Sequence, residues 1–311
     1  MASLFLSQFA VDYPKKSVFC IGQLPDGGGG GTNIVEPMNS GMCYDHMGDY
    51  YDLFVYWQNE ALYRVLGKKL EMLDPGLGEI DRLLAVAFSD FFSGVRYKNG
   101  LGSVGCKSMS EIATNLVPSP VCGREVSWGL APILDCEDAL FEECEFGKLV
   151  GEANSKDSSF VSKKRCGDGV SSNGARELSA IYSFRGRNSD GCIKSVEDVA
   201  KGYTHSVFGM RKVSCVGTPR KMEEGRAFMG EVDVSLLVTS ASNAWIDVYG
   251  GVLDKRAKLH RKRAFEHHYY GTGITDGELN ADTWSFENKK KYFEEMDKLP
   301  CDLDNENDSG D

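Results

Sequence analysis

The clearest periodicity lies between residues 50 and 93. Leu53, Trp57, Ala61, Val65 and Leu66 recur at helical spacing, and Asp74-Pro75-Gly76 supplies a stop. Ile80, Leu83, Leu84, Ala87, Phe88, Phe91 and Phe92 mark the apolar face of a second helix, closed by Gly94. The pattern predicts helices over Asp52–Leu73 and Glu79–Ser93, joined as an antiparallel hairpin that buries aromatic rings. Upstream, residues 1–45 read as irregular structure with one short strand at Ser17–Ile21. That strand runs into Pro25-Asp26 and the glycines Gly27–Gly31. A glycine run loses too much backbone entropy on ordering, so a mobile loop is expected there. Residues 94–150 are less periodic, with a short acidic helix expected at Glu137–Leu149.

Residues 151–178 are rich in Ser, Gly, Asn, Asp and Lys and read as a linker or long surface loop. Beyond them the pattern becomes mixed. Ser195–Tyr203 reads as a short helix with Ser195 and Asp198 in capping-box positions. Strands are expected at Lys212–Val216, Glu231–Val238 and Trp245–Tyr249. A basic amphipathic helix follows over Asp254–Tyr269, then a last helix over Trp284–Leu299 ended by Pro300. The sequence thus predicts an α+β protein. Residues 1–150 form a mainly helical half and 179–300 a smaller sheet-plus-helix half, with an acidic disordered tail at 301–311.

Composition narrows the function classes. A hydrophobic fraction of 41% and an aromatic fraction of 11% suit a folded chain. The 46 acidic and 35 basic residues give a net charge of -11, which repels nucleic acid and anionic membranes as a whole. Contact with a polyanion therefore needs a local basic patch. The 10 cysteines are too sparse for a disulfide scaffold. No basic residue precedes Leu4-Phe5-Leu6, and the apolar stretch Leu83–Phe88 is too short to cross a bilayer. A soluble cytoplasmic or nuclear protein with reduced thiols and no membrane partner is expected.

Most candidate motifs are incomplete. Thr32 and Asn33 follow the glycine run, but no lysine stands where a phosphate loop needs one. Cys43 and His46 have C-x-x-H spacing beside Asp45 and Asp49, yet zinc requires a second ligand pair and none is spaced for it. None of His46, His205, His260, His267 and His268 sits in a hydrolase or metalloprotease motif.

The segment 194–268 carries a fuller pattern. Alternation on Gly230-Glu231-Val232-Asp233-Val234 puts Glu231 and Asp233 on one strand face. On Trp245-Ile246-Asp247-Val248-Tyr249 the same alternation puts Asp247 with Trp245 and Tyr249. Antiparallel pairing would bring Asp233 and Asp247 together, a pair that a divalent cation would stabilise. This order resembles the core of the restriction-endonuclease-like nucleases. The resemblance implies metal-holding and catalytic roles for Asp233 and Asp247, with Glu197 as the helix carboxylate and Mg or Mn as cofactor. Tyr249 stands where that family places its lysine, and Lys255 or Lys258 would have to replace it.

The basic helix is the second signal. Lys255, Arg256, Lys258, Arg261, Lys262 and Arg263 fall within one short stretch, followed by His267, His268, Tyr269 and Tyr270. Cations beside planar rings suit phosphates and stacked bases. The plainer expectation is a solvated face that pairs with the protein's own surplus acid, including Asp302, Asp304, Glu306, Asp308 and Asp311. With no complete catalytic constellation, the leading expectation is a non-enzymatic assembly or scaffold protein that self-associates, without a cofactor, of the kind found among viral structural or accessory proteins. The alternative is a metal-dependent nuclease or an RNA- or DNA-binding protein.

Overall fold

The computed structural model describes residues 2–25, 33–97, 108–117, 124–131, 152–153, 155, 157–161, 177–186, 206–216, 234–280 and 283–296. The first half contributes α1 (Ala2–Asp12), β1 (Phe19–Gln23), α2 (Glu36–Met47), β2 (Leu53–Trp57), α3 (Asn59–Lys69), α4 (Leu77–Phe91), α5 (Ser93–Arg96), α6 (Met109–Leu116) and β3 (Glu125–Ala131). The second contributes β4 (Glu177–Gly186), β5 (Ser206–Val216), β6 (Val234–Ser242), α7 (Ala244–Arg261), α8 (Glu266–Tyr270), α9 (Asp276–Asn280) and α10 (Thr283–Met296).

The strands form one sheet in the order β1-β2-β3-β6-β4-β5. β1, β2 and β3 are parallel, β6 runs antiparallel to both β3 and β4, and β4 is parallel to β5. Helices with a mixed sheet are the α+β class that the sequence predicts. The sheet draws three strands from each half of the chain, because β3 pairs with β6 across six residues from Val126↔Ala241 to Ala131↔Leu236.

Two apolar layers cover the sheet. On one face Leu53, Val55, Val126, Trp128 and Leu130 pack with Leu62, Val65 and Leu66 of α3 and Ile80, Leu83 and Ala87 of α4. On the other, Phe54 and Tyr56 pack with Leu6, Met47, Trp245, Val248, Tyr249 and Val252. β2 shows the logic: Leu53 and Val55 face one layer, Phe54 and Tyr56 the other. Its run of large apolar residues fills both faces of a central strand, where a helix of the same length would bury only one. This is why Leu53–Trp57 is a strand and not the first turn of the predicted helix, which begins instead at Asn59.

The second predicted helix is present as α4, and its N-terminus is held by Glu79, whose carboxylate accepts from the Gly76 N–H at 2.9 Å. Gly129 lets β3 approach Ala153, since a Cβ there would lie 2.2 Å from the Ala153 carbonyl oxygen. The structure adds α1, α2, β3 and β4, which hydrophobic periodicity left unassigned. Gly27–Gly31, Glu137–Leu149, Ser195–Tyr203 and the acidic tail lie outside the described residues.

The segment Trp245–Tyr249 is helical, not a strand. Trp245, Val248, Tyr249, Val252 and Leu253 are buried, which is the i, i+3, i+4, i+7, i+8 stripe of an amphipathic helix. A five-residue window fits period 2 almost as well, and the eighteen-residue helix decides between them. The predicted basic helix is the C-terminal part of α7. It stops at Arg261, because Arg263 (φ 47°) and Phe265 (φ 64°) adopt the left-handed conformation before α8 begins.

Candidate functional site

The buried stripe of α7 fixes what its other faces can do. Arg256 points inward with 6% of its surface exposed. One guanidinium nitrogen lies 3.2 Å from the Asp45 carboxylate on α2, and another donates to the Leu279 carbonyl. The second oxygen of Asp45 accepts from the Tyr249 hydroxyl at 2.8 Å. Gly41 makes room for this clamp, because a Cβ there would stand 2.7 Å from the Arg256 guanidinium. Tyr249 in turn stacks on Trp245 at 5.0 Å between ring centroids. Burial charges and hydroxyls this way holds α2 against α7.

One helical face over, Lys255, Lys258 and Lys262 converge on a cavity of about 290 Å³. Val252 and Leu259 form its apolar floor, and Asn33, Ile34, Glu36 and Pro37 form the opposite lip. The lysines recur at i, i+3 and i+7, the spacing that puts side chains on one helix face. The described lining holds three lysines and one carboxylate, Glu36, which makes this a basic surface, and long lysine stems can follow its apolar floor.

The six predicted basic residues therefore divide. Lys255, Lys258 and Lys262 share the cavity, Arg256 is a structural cation, and Arg261 and Arg263 are exposed at the helix end. The neighbouring rings are tied up locally. Tyr269 donates to the Asn39 side chain at 2.7 Å. Tyr270 donates to Asp276 at 2.8 Å and to Glu266 at 3.1 Å, and those acceptors push its phenol up to about 12. His260 meets the buried Glu266 at 2.5 Å across the α7–α8 turn.

The nuclease constellation is not assembled among the described residues. Asp247 is exposed in the first turn of α7, and Glu197 and Asp233 lie outside the described residues. Tyr249 is a buried packing residue bonded to Asp45. No group of three metal-capable side chains occurs among the described residues. In the C-x-x-H pair, the Cys43 thiol touches the Met47 sulfur at 3.4 Å, the His46 ring lies against Tyr50, and Asp45 is committed to Arg256. Burial pushes the Cys43 thiol up. The clamp and the Asn33–Pro37 lip were missed from the sequence. The one signal for the clamp was the buried spacing of Trp245, Val248, Tyr249 and Val252.

No family model matches the chain. It is 25% identical over 311 residues to the nucleomorph tubulin alpha chain of Guillardia theta, covering 97% of this chain and 66% of that one. It is 25% identical over 302 residues to the tubulin alpha-1B chain of Physarum polycephalum, covering 94% of this chain and 64% of that one. The chain therefore spans just under two thirds of the length of these relatives. The likeness runs through both halves and overturns the restriction-endonuclease resemblance, which rested on a short segment whose second strand is a helix. The relatives also displace the viral and nuclease readings.

The same likeness corrects the expectation of no cofactor, because tubulin-like homologues bind GTP and Mg. The lysine cavity does not fit that pair. Its volume of about 290 Å³ sits at the lower edge of ligand pockets, roughly 300–1,000 Å³. Its described lining offers one carboxylate, Glu36, no Ser or Thr hydroxyl, and no aromatic ring to pack a guanine base. No helix among the described residues is long and apolar enough to cross a membrane. What the comparisons leave, across nearly the whole chain, is a likeness to tubulin alpha chains.

Proposed function

We propose that this protein is a tubulin-like assembly subunit that self-associates in the cytoplasm. The observation that carries the reading is the similarity to tubulin alpha chains over 94–97% of this chain. The lysine cavity supports it with a means of contact. The chain carries a net charge of -11, and Lys258 and Lys262 are a place where a neighbouring copy's carboxylates can be met. Such a contact is exposed and weakens with salt. RNA or DNA binding at the same lysines has only the local charge in its favour.

GTP with Mg²⁺ is the ligand to which the likeness points, so the test is run with and without it. Purified protein is titrated from low to high concentration and followed by light scattering and negative-stain electron microscopy. Concentration-dependent assembly is expected. Lys258→Glu with Lys262→Glu should raise the concentration needed for it severalfold, and high salt should do the same to the unsubstituted protein. A monomer at every concentration, with and without GTP and Mg²⁺, overturns the proposal.

A further inference from the structure

The cavity beside α7 joins two chemistries in one small volume. Its floor is apolar: Val252 and Pro25 are buried, and Leu259 and Pro37 are half-buried. Its rim is cationic. Lys258 and Lys262 stand four residues apart on one face of α7, and both are exposed. Neither enters an ion pair among the described residues. The chain has 46 acidic residues for 35 basic ones, so the lack of a paired carboxylate belongs to this face and not to the composition.

The lip across from α7 adds shape and polarity. The Asn33 side-chain oxygen accepts from the Val35 N–H at 3.2 Å, which turns the bonding capacity of Asn33 at the lip into that of its amide donor. Ile34 is 65% exposed, a large apolar side chain at the edge of an apolar floor. Glu36 is the one carboxylate of the described lining and is not in ion-pair contact with either lysine. It favours a ligand with a single negative charge over one with several. At about 30 Å³ for each water-sized group, a volume of about 290 Å³ holds about ten non-hydrogen atoms.

We infer that the cavity between α7 and the Asn33–Pro37 segment binds a small amphiphilic monocarboxylate, with its aliphatic body on Val252, Leu259 and Ile34 and its head group at Lys258 and Lys262. A nucleic-acid strand matches the rim and leaves the apolar floor unused. The short acidic side chain of a neighbouring copy does the same. The site stands without the assembly reading. One consequence rests on that reading: a bound carboxylate occupies the lysines proposed for self-contact, and so opposes assembly.

The test titrates the full chain with octanoate, a carboxylate of about the right size, by isothermal titration calorimetry at low salt. Butanoate carries the same charge on a shorter body, and octanol carries the body without the charge. Octanoate should bind at one site at least about tenfold more tightly than butanoate, since each fully buried methylene contributes about fourfold. Octanol should bind far more weakly. Lys258→Ala with Lys262→Ala should weaken octanoate by about tenfold, and Glu36→Gln should tighten it by up to about fivefold. Ile34→Ser should weaken it by about threefold. Arg261→Ala, on the same helix but outside the cavity lining, should change nothing. The substituted side chains are exposed or half-buried, so these variants keep the fold. Equal affinity for octanoate and butanoate overturns the inference, because the lysines then read charge alone and an acidic side chain is the better occupant. Equal affinity for octanol, or indifference to the double lysine change, overturns it too. Binding is read at protein concentrations below assembly, so its failure is distinct from failure of the assembly reading. Saturating octanoate should then raise the concentration needed for assembly severalfold.

Discussion

Arg256 is the residue whose role the sequence and the structure read most differently. Its position in a basic run suggests a ligand contact, whereas its buried guanidinium spans α2, α7 and α9. At 3.2 Å from Asp45, and with an effective dielectric constant near 20, the Coulomb attraction is about 5 kcal/mol. Desolvation offsets much of that in the intact pair. Deleting one partner is different, because Asp45 then keeps its charge inside the α2–α7 seam. Arg256→Ala is therefore expected to cost about 3–5 kcal/mol, the usual loss for breaking a buried pair. For a chain of 311 residues that lowers the melting temperature by roughly 5–8 °C. Lys258→Ala, on the exposed side of the same helix, should cost under about 0.5 kcal/mol. Differential scanning calorimetry measures both. A double-mutant cycle of Asp45→Asn and Arg256→Met should show that the second change costs much less once the first is made. An Arg256→Ala protein melting within about 1 °C of the unsubstituted one, the shift an ordinary surface substitution produces, would refute the clamp. So would strict additivity in the cycle.

Two further outcomes follow from buried groups elsewhere. Asp90 of α4 is fully buried, lies 3.3 Å from Arg185 of β4 and accepts from Ser235 of β6 at 3.0 Å, so Asp90→Ala should destabilise by about 3–5 kcal/mol and Ser235→Ala by about 1 kcal/mol in urea unfolding. The Cys20 thiol is raised from 9.0 to about 11, first by burial and then by Cys43 and Asp52, so its alkylation at pH 8 should be about 100-fold slower in the native protein than in urea and should accelerate up to pH 11. The sign for stability follows: the native state keeps a proton that the unfolded chain releases between pH 9 and 11, so this thiol makes stability fall as pH rises through that window.

What the sequence made legible depended on whether one face or two were buried. α4 packs one stripe against one layer, and its periodicity was readable residue by residue. β2 and β3 are buried on both faces, so their composition carries no period at all. β3 is harder still, because Glu125 and Ser127 are buried polar residues and read as loop chemistry. Glu125 is tolerated there because the Tyr51 hydroxyl donates to it at 2.7 Å, a pairing across 74 residues that no local window contains. The basic island was legible as charge but not as geometry. Which of its cations turn inward is decided by α2, through Gly41 and Asp45, far away in sequence.

The same distinction explains why α1 escaped notice and why it matters. Ala-Ser-Leu-Phe-Leu-Ser-Gln-Phe-Ala-Val-Asp places apolar residues around most of the helix, so no single stripe stands out as a core face. A helix apolar on most sides ordinarily packs between two partners. Here α2 and the Leu6 layer cover one side, while Leu4, Phe5, Phe9 and Val11 remain exposed. Scattered exposed apolar residues need no explanation, but a contiguous aromatic stripe beside an unprotected parallel edge strand does. The weak periodicity of α1 and the half-burial of β1 are then one feature seen twice. Both record a surface whose sequence is that of an interior.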